Sequence, residues 1–146
     1  GIRVPMIVRH PKRIKTGATS DLPWYFADVL PTLAEIAGIT TAETIDGTSI
    51  LPTIHGKQQD LSNRYLYWEF YEKQGWRATR FGDWKAIQNG MNQGDQEPIE
   101  LYNLKEDIGE TKDLADQYPE IVAKAANIFE ESHVPSEHFV WKYLNK

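Results

Sequence analysis

The chain contains no cysteine, which excludes disulfides, thiolate nucleophiles and Cys-ligated zinc but leaves the redox compartment open. It also lacks any apolar run approaching the roughly 18 residues needed to span a bilayer. No basic, apolar and cleavage regions follow one another at its amino terminus. Net charge is -5, so the dense Lys/Arg surface that grips a phosphate backbone is missing and nucleic acid is not an expected partner. Internal repeats and low-complexity tracts are absent too. What remains is a chain of 146 residues, 40% hydrophobic and 25% charged, the composition of an ordinary globular domain with one core.

The chain opens on Gly1 without an initiator Met and enters at once the β-branched run Gly1-Ile2-Arg3-Val4-Pro5-Met6-Ile7-Val8-Arg9. Alternation of Ile2, Val4, Met6 and Val8 predicts a strand, with Pro5 suited to an edge or a bulge. A strand with no lead-in suggests a cut through a larger protein. The basic residues Arg9, Lys12, Arg13 and Lys15 follow in a turn and read as a solvated loop. From Asp21 or Ser20, a helix is predicted whose residues Phe26, Val29, Leu30, Leu33, Ile36 and Ala37 share one apolar face, ending at Gly38. Pro31 should kink it or divide it in two, at a cost of ~3 kcal/mol unless the backbone absorbs it. The exposed loop Gly56-Lys57-Gln58-Gln59-Asp60 is the expected boundary between two parts, 1–58 and 59–146.

Beyond Asn63, aromatic β-prone segments alternate with glycine-bearing turns, the pattern of an antiparallel meander of about four strands. Tyr65, Tyr67, Glu69 and Tyr71 fall on one face; Leu66, Trp68, Phe70 and Glu72 fall on the other, the expected core face. Lys73-Gln74-Gly75 and Phe81-Gly82-Asp83 are the predicted turns, Asn89 to Pro98 a mobile loop, and Ile99 to Leu104 the last strand. Pro119 then starts a helix presenting Ile121, Val122, Ala125, Ile128 and Phe129 on one face, which should pack across the sheet. The tail from Pro135 carries Phe139, Val140, Trp141, Tyr143 and Leu144 and is too apolar to hang free in water.

Three groups of polar residues could carry chemistry. His133 and His138 flank Pro135, and a surface or capping role suits them better than a metal site. Asp107, Glu110 and Asp113 lack the glycine and terminal Glu of an EF-hand, so they read as turn and capping residues. Arg77, Arg80 and Lys85 could hold an anion across strands, although pairing with Glu69, Glu72 and Asp83 is the commoner use of such charges.

Six pieces of this chain, in order, resemble the carboxy-terminal end of the sulfatases. Gly1-Ile2-Arg3-Val4-Pro5, Asp28-Val29-Leu30-Pro31-Thr32-Leu33 with Ala37-Gly38-Ile39, and Asp46-Gly47 are similar to the last strand and helix of the sulfatase catalytic domain. Tyr67-Trp68-Glu69-Phe70, Arg80-Phe81-Gly82-Asp83-Trp84-Lys85, and Glu100-Leu101-Tyr102-Asn103-Leu104 with Asp107-Ile108-Gly109-Glu110 and Asp113-Leu114-Ala115 are similar to that family's small carboxy-terminal subdomain. The resemblance implies an α+β fold: the end of an α/β catalytic domain (1–58), then a small antiparallel sheet packed against a C-terminal helix (59–146). It is nearest to bacterial sulfatases of the arylsulfatase-like class, in the alkaline phosphatase superfamily.

For the parent protein, the resemblance implies hydrolysis of sulfate esters of a carbohydrate or aryl compound, a divalent cation, calcium, and a formylglycine nucleophile. It also implies a periplasmic or secreted location. The sequence has no Cys or Ser-x-Pro-x-Arg motif, no Asp-Asp pair and no Asp-Asn dipeptide, so no catalytic or metal-binding residue is carried over. The expected partner is the N-terminal catalytic portion of the same protein, without which this chain is expected to be inactive. By the same resemblance, the hairpin around Tyr71, Glu72, Lys73, Gln74 and Trp76 can reach the non-sulfate part of a substrate; relatives carry His where this chain has Tyr71. The competing reading makes Trp68, Trp76 and Trp84 sheet-face aromatics and Glu72 and Lys73 solvated turn residues. A noncatalytic glycan-binding or protein-interaction module is the alternative function.

Overall fold

A computed structural model describes residues 2–42, 44–93 and 96–141. The chain divides into two compact units, Gly1–Leu61 and Ser62–Lys146, three residues beyond the boundary expected from the Gly56–Asp60 loop.

The first unit is built around helix α1 (Val29–Ala37), with a short helix α2 (Leu51–Ile54) after it. The predicted opening at Asp21 does not form a helix. A single 3-10 turn, Phe26–Asp28, leads into α1 instead, and this places Pro31 in the first helical turn, where its missing N–H has no intrahelical partner to lose. The fully buried Asp28 carboxylate explains the start: Oδ2 accepts the Tyr25 N–H at 3.1 Å and Oδ1 the Thr48 N–H at 2.8 Å. Thr32 continues the stitch, donating to the Asp28 carbonyl (2.6 Å) and accepting the Ile50 N–H (3.0 Å). Gly47 sits in the same stitch, and a Cβ there would lie 1.9 Å from the Ala27 carbonyl oxygen.

One expectation for this unit is corrected. Residues 2–10 form no strand, because a strand exists only by pairing and none of the described strands pairs with this segment. The apolar face expected of the helix is present and points outward: Asp28, Pro31 and Thr32 are buried, while Phe26 is 89%, Leu30 61% and Leu33 58% exposed. The side that packs inward is the polar one, and its buried carboxylate and hydroxyl are both satisfied, as buried polar groups must be.

The second unit is the predicted meander. Strands β1 (Tyr65–Phe70), β2 (Trp76–Phe81), β3 (Trp84–Asn89) and β4 (Glu100–Asn103) form one antiparallel sheet in chain order. Phe81 pairs with Trp84 across the two-residue Gly82-Asp83 connection, and Trp84 pairs with Asn103. Helix α3 (Pro119–Ser132) starts at Pro119 as predicted. Its Ala125, Ile128 and Phe129 close a core with Phe81, Ala86 and Leu101, and Ile121 and Val122 pack at its margin.

The helix lies on the face opposite to the one expected. Tyr67, Thr79, Ala86 and Leu101 are cross-strand neighbours, and the Tyr67 ring meets Phe129 at 6.2 Å. Alternation misleads because the residues that look polar on this face bury carbon and satisfy their polar ends within the sheet or on α3. Thr79 donates to the Leu66 carbonyl at 3.0 Å. Buried Arg77 reaches Gln88 at 3.0 Å and Glu130 at 3.1 Å, with its guanidinium 4.7 Å from the Phe129 ring centre. On the other face Leu66, Ala78 and Lys85 are buried as well, so burial alone does not distinguish the two.

Candidate functional site

The β1–β2 connection, Tyr71 to Gly75, is braced from two directions. From the β3–β4 connection, Asn92 Nδ2 donates to the Tyr71 carbonyl (2.6 Å) and to the Lys73 carbonyl (3.3 Å), while its N–H donates to the Gln74 carbonyl (2.7 Å). The Met91 N–H donates to the Gly75 carbonyl at 3.2 Å. Within the turn the Gly75 N–H returns to the Glu72 carbonyl at 3.0 Å. Gly75 has φ 70°, and a Cβ there would press on Asn92 and Met91 at 3.0 to 3.1 Å, so only glycine meets both demands.

The second brace is a carboxylate hub at the end of β1. Glu69 accepts hydrogen bonds from the hydroxyls of Tyr67 and Tyr71. His133, the residue that ends α3, places Nδ1 2.7 Å from Glu69 Oε1. Burial, and then the hydrogen bond to Glu69, push the Tyr67 phenol well above its ordinary value, because both disfavour a phenolate beside a carboxylate. Trp141, fully buried, stacks on Tyr71 at 4.8 Å and on His133 at 5.1 Å.

The five residues singled out in the sequence therefore do not form one surface. Tyr71 is an anchor, with its phenol on Glu69 and its ring under Trp141. Trp76 stacks on Phe70 at 5.4 Å, its cross-strand partner on the sheet face away from Tyr67 and Glu69. Only Glu72, Lys73 and Gln74 project as an exposed ridge, held at Lys73 by a left-handed backbone with φ 56°. Asn92, His133 and Trp141 were not legible as part of this site: Glu69 and His133 are 64 positions apart, and no spacing rule links a helix end to a strand end.

The other polar groups resolve into structural pairs. Arg77 pairs with Glu130 and Lys85 with Glu110, in place of the expected Glu69, Glu72 and Asp83. Asp107 accepts the N–H groups of Thr111 (2.7 Å) and Lys112 (2.9 Å), the turn chemistry expected of it. The backbone bond from Lys112 leads in holding its carboxyl below the ordinary value. Among the described residues no group of three or more His, Asp or Glu side chains could hold a metal ion. The sequence has neither a cysteine nor a Ser-x-Pro-x-Arg motif, so the formylglycine implied by the resemblance has no matching residue here, and the implied divalent cation has no ligand cluster among the described residues. No helix of the described residues is long and apolar enough to cross a membrane.

Comparison with known proteins agrees with this architecture. A protein from Formosa agariphila named ulvan-active sulfatase is 46% identical over 67 residues, covering 46% of this chain and 13% of its own length. Arylsulfatase K of Danio rerio is 29% identical over 126 residues, covering 81% of this chain and 23% of its own. The chain thus spans less than a quarter of the length of these relatives. The solved structure of BT4656 in complex with its substrate, D-glucosamine-2-N,6-O-disulfate, superposes with a TM-score of 0.66 at 26% identity, over 85% of this chain and 26% of that one. Residues 1–133 match the family model described as N-sulphoglucosamine sulphohydrolase, C-terminal, and the chain belongs to that family, as the C-terminal portion of a sulfatase.

Proposed function

We propose that the protein to which this chain belongs hydrolyses sulfate esters of a carbohydrate or an aryl compound, and that this segment supplies scaffold and contacts to the non-sulfate part of the substrate. The family match along residues 1–133 carries this reading. The relatives' names include sulfatases of ulvan and of aryl compounds, and a neighbouring structure holds a sulfated glucosamine. Residues 1–58 would be the end of the catalytic domain and 59–146 the accessory subdomain. The nucleophile, a formylglycine, and the cation, calcium, would come from the N-terminal portion, and the whole would act in the periplasm or outside the cell.

Two features of the geometry support the division of labour. The outward stripe of Phe26, Leu30 and Leu33 is a surface that the catalytic portion would cover. The braced ridge Glu72–Gln74 offers a carboxylate, an ammonium and an amide on a turn already ordered by Asn92, and polar groups held in place before binding lose less entropy on contact.

Sulfate release from the full-length protein and from this chain alone, with 4-nitrophenyl sulfate and glucosamine 6-sulfate as probes, tests the assignment. Release by the full-length protein and none by the chain is expected. Replacing Lys73 by Ala in the full-length protein should lower kcat/KM for its sulfated sugar about tenfold, the loss of one charge-assisted hydrogen bond. No sulfate release from the full-length protein, together with binding of sulfated glycans to this chain, would establish a noncatalytic glycan-binding module instead.

A further inference from the structure

We infer that the segment from His133 to Trp141 is a strap that fixes the conformation of the β1–β2 turn, with Trp141 its positioning residue. The inference rests on the reading of that turn as the substrate-facing ridge only for its functional consequence; the strap itself is argued from contacts.

The path of the segment is closed on itself. At His133 the backbone leaves α3 in an extended conformation (φ -69°, ψ 120°), and the imidazole is pinned to Glu69 at 2.7 Å, with both side chains only 15% exposed. Ser136 then turns the chain, its hydroxyl oxygen accepting the N–H groups of His138 and Phe139, each at 3.2 Å. The chain returns at Trp141, whose indole stacks nearly parallel on the His133 ring, 5.1 Å away and inclined by 20°. A surface loop whose ends meet and pack on each other behaves as a compact body, not as a tail.

That body sits on Tyr71. The indole stacks on its ring at 4.8 Å and 22°, and Phe139 approaches it at 5.5 Å. Tyr71 is the first residue of the turn, and its carbonyl accepts the 2.6 Å bond from Asn92 that organises the remainder. Ring, hydroxyl and carbonyl of one residue are therefore held by three different segments of chain: the strap, β1 and the β3–β4 connection. Tyr71 thereby transmits the position of the strap to the ridge Glu72–Gln74. A connection with three exposed central residues would otherwise be among the first elements to open.

Site-resolved amide hydrogen exchange on the intact chain tests this without any ligand. In Trp141→Ala, exchange at Gly75, Met91 and Asn92, whose N–H groups close the turn, should accelerate about tenfold, in line with the loss of stacking on two rings. Amides of the β2–β3 ladder at Thr79 and Ala86 should change by less than about twofold. Trp141→Phe, which keeps a ring over Tyr71, should restore most of the protection. Phe139→Ala, at an exposed site whose ring meets Tyr71 at 5.5 Å, should give a smaller acceleration at the same three amides. Unchanged exchange at those amides in both alanine variants would overturn the strap, as would acceleration spread evenly through the ladder. Because sulfate release is measured separately, failure of the strap and failure of the sulfatase assignment are distinguishable.

Discussion

His133 Nδ1 lies 2.7 Å from Glu69 Oε1, and both side chains are 15% exposed. This contact ties the end of α3 to the end of β1, and the same carboxylate takes the hydroxyls of Tyr67 and Tyr71. Removing it would leave three polar groups facing a site with little access to water. Glu69→Ala should therefore cost about 2 to 3 kcal/mol, and Glu69→Gln less, since an amide oxygen still accepts. Urea unfolding provides the check: the midpoint should fall with little change in slope, and a loss under 0.5 kcal/mol for the alanine variant would show that the hub contributes nothing.

Tyr67 gives the fold a dependence on alkaline pH. Burial and the Glu69 hydrogen bond raise its folded-state value above the ordinary 10.0, and burial with the Glu100 hydrogen bond does the same for Tyr102. A raised value means that the unfolded chain loses these protons first. The stabilising contribution is complete below pH 10 and declines as pH rises from there toward the folded-state values. Stability measured between pH 9 and 11.5 should thus fall, and Tyr67→Phe should flatten part of that slope. An unaltered slope in the variant would exclude Tyr67 as its source.

Gly47 is the position in the first unit where a single methyl group should be decisive. Its Cβ would overlap the Ala27 carbonyl at 1.9 Å, within the stitch of Asp28 and Thr48 that fixes the start of α1. Gly47→Ala must push the Asp46–Thr48 turn away from α1, breaking a bond to a buried carboxylate at about 1 to 3 kcal/mol. In an amide NMR spectrum the Thr48 and Ile50 resonances should shift or broaden while those of β2 and β3 stay in place. A spectrum indistinguishable from the parent chain would show that the close approach is not maintained in solution.

The parts of this architecture that were legible in the sequence are those written in short-range signals. The four strands follow from alternation and the glycine turns, and α3 from Pro119 and its apolar spacing, because neighbouring residues decide both. The sheet face chosen by α3 was not legible: Tyr67, Thr79 and Arg77 count as polar in any alternation, yet each satisfies its polar end internally. The strand expected over Gly1 to Arg9 failed across its described residues, 2–9, for a different reason, since no local signal reports whether a pairing partner is present. At the site, Glu72, Lys73 and Gln74 are exposed as a turn sequence suggests, whereas Tyr71 and Trp76 are claimed by Trp141 and Phe70. Tyr143 and Leu144, expected to dock with the tail, lie outside the described residues.

The outward stripe on α1 and the turn before it separates what stabilises this chain from what would hold it to the remainder of a sulfatase. Phe26, Leu30 and Leu33 are more than half exposed, so replacing Leu30 and Leu33 with Ser removes only part of each side chain's burial here and should cost this chain less than about 1 kcal/mol apiece. If the catalytic portion covers the stripe, each leucine buries its side chain there, and the same replacements in the full-length protein should cost about 1.5 to 3 kcal/mol apiece. Sedimentation and binding of an apolar dye give a second reading: the parent chain should bind dye or self-associate through this face, and the double variant should do so less. Equal losses of stability in the chain and in the full-length protein would place the stripe in the interior of the first unit and remove it as a docking face.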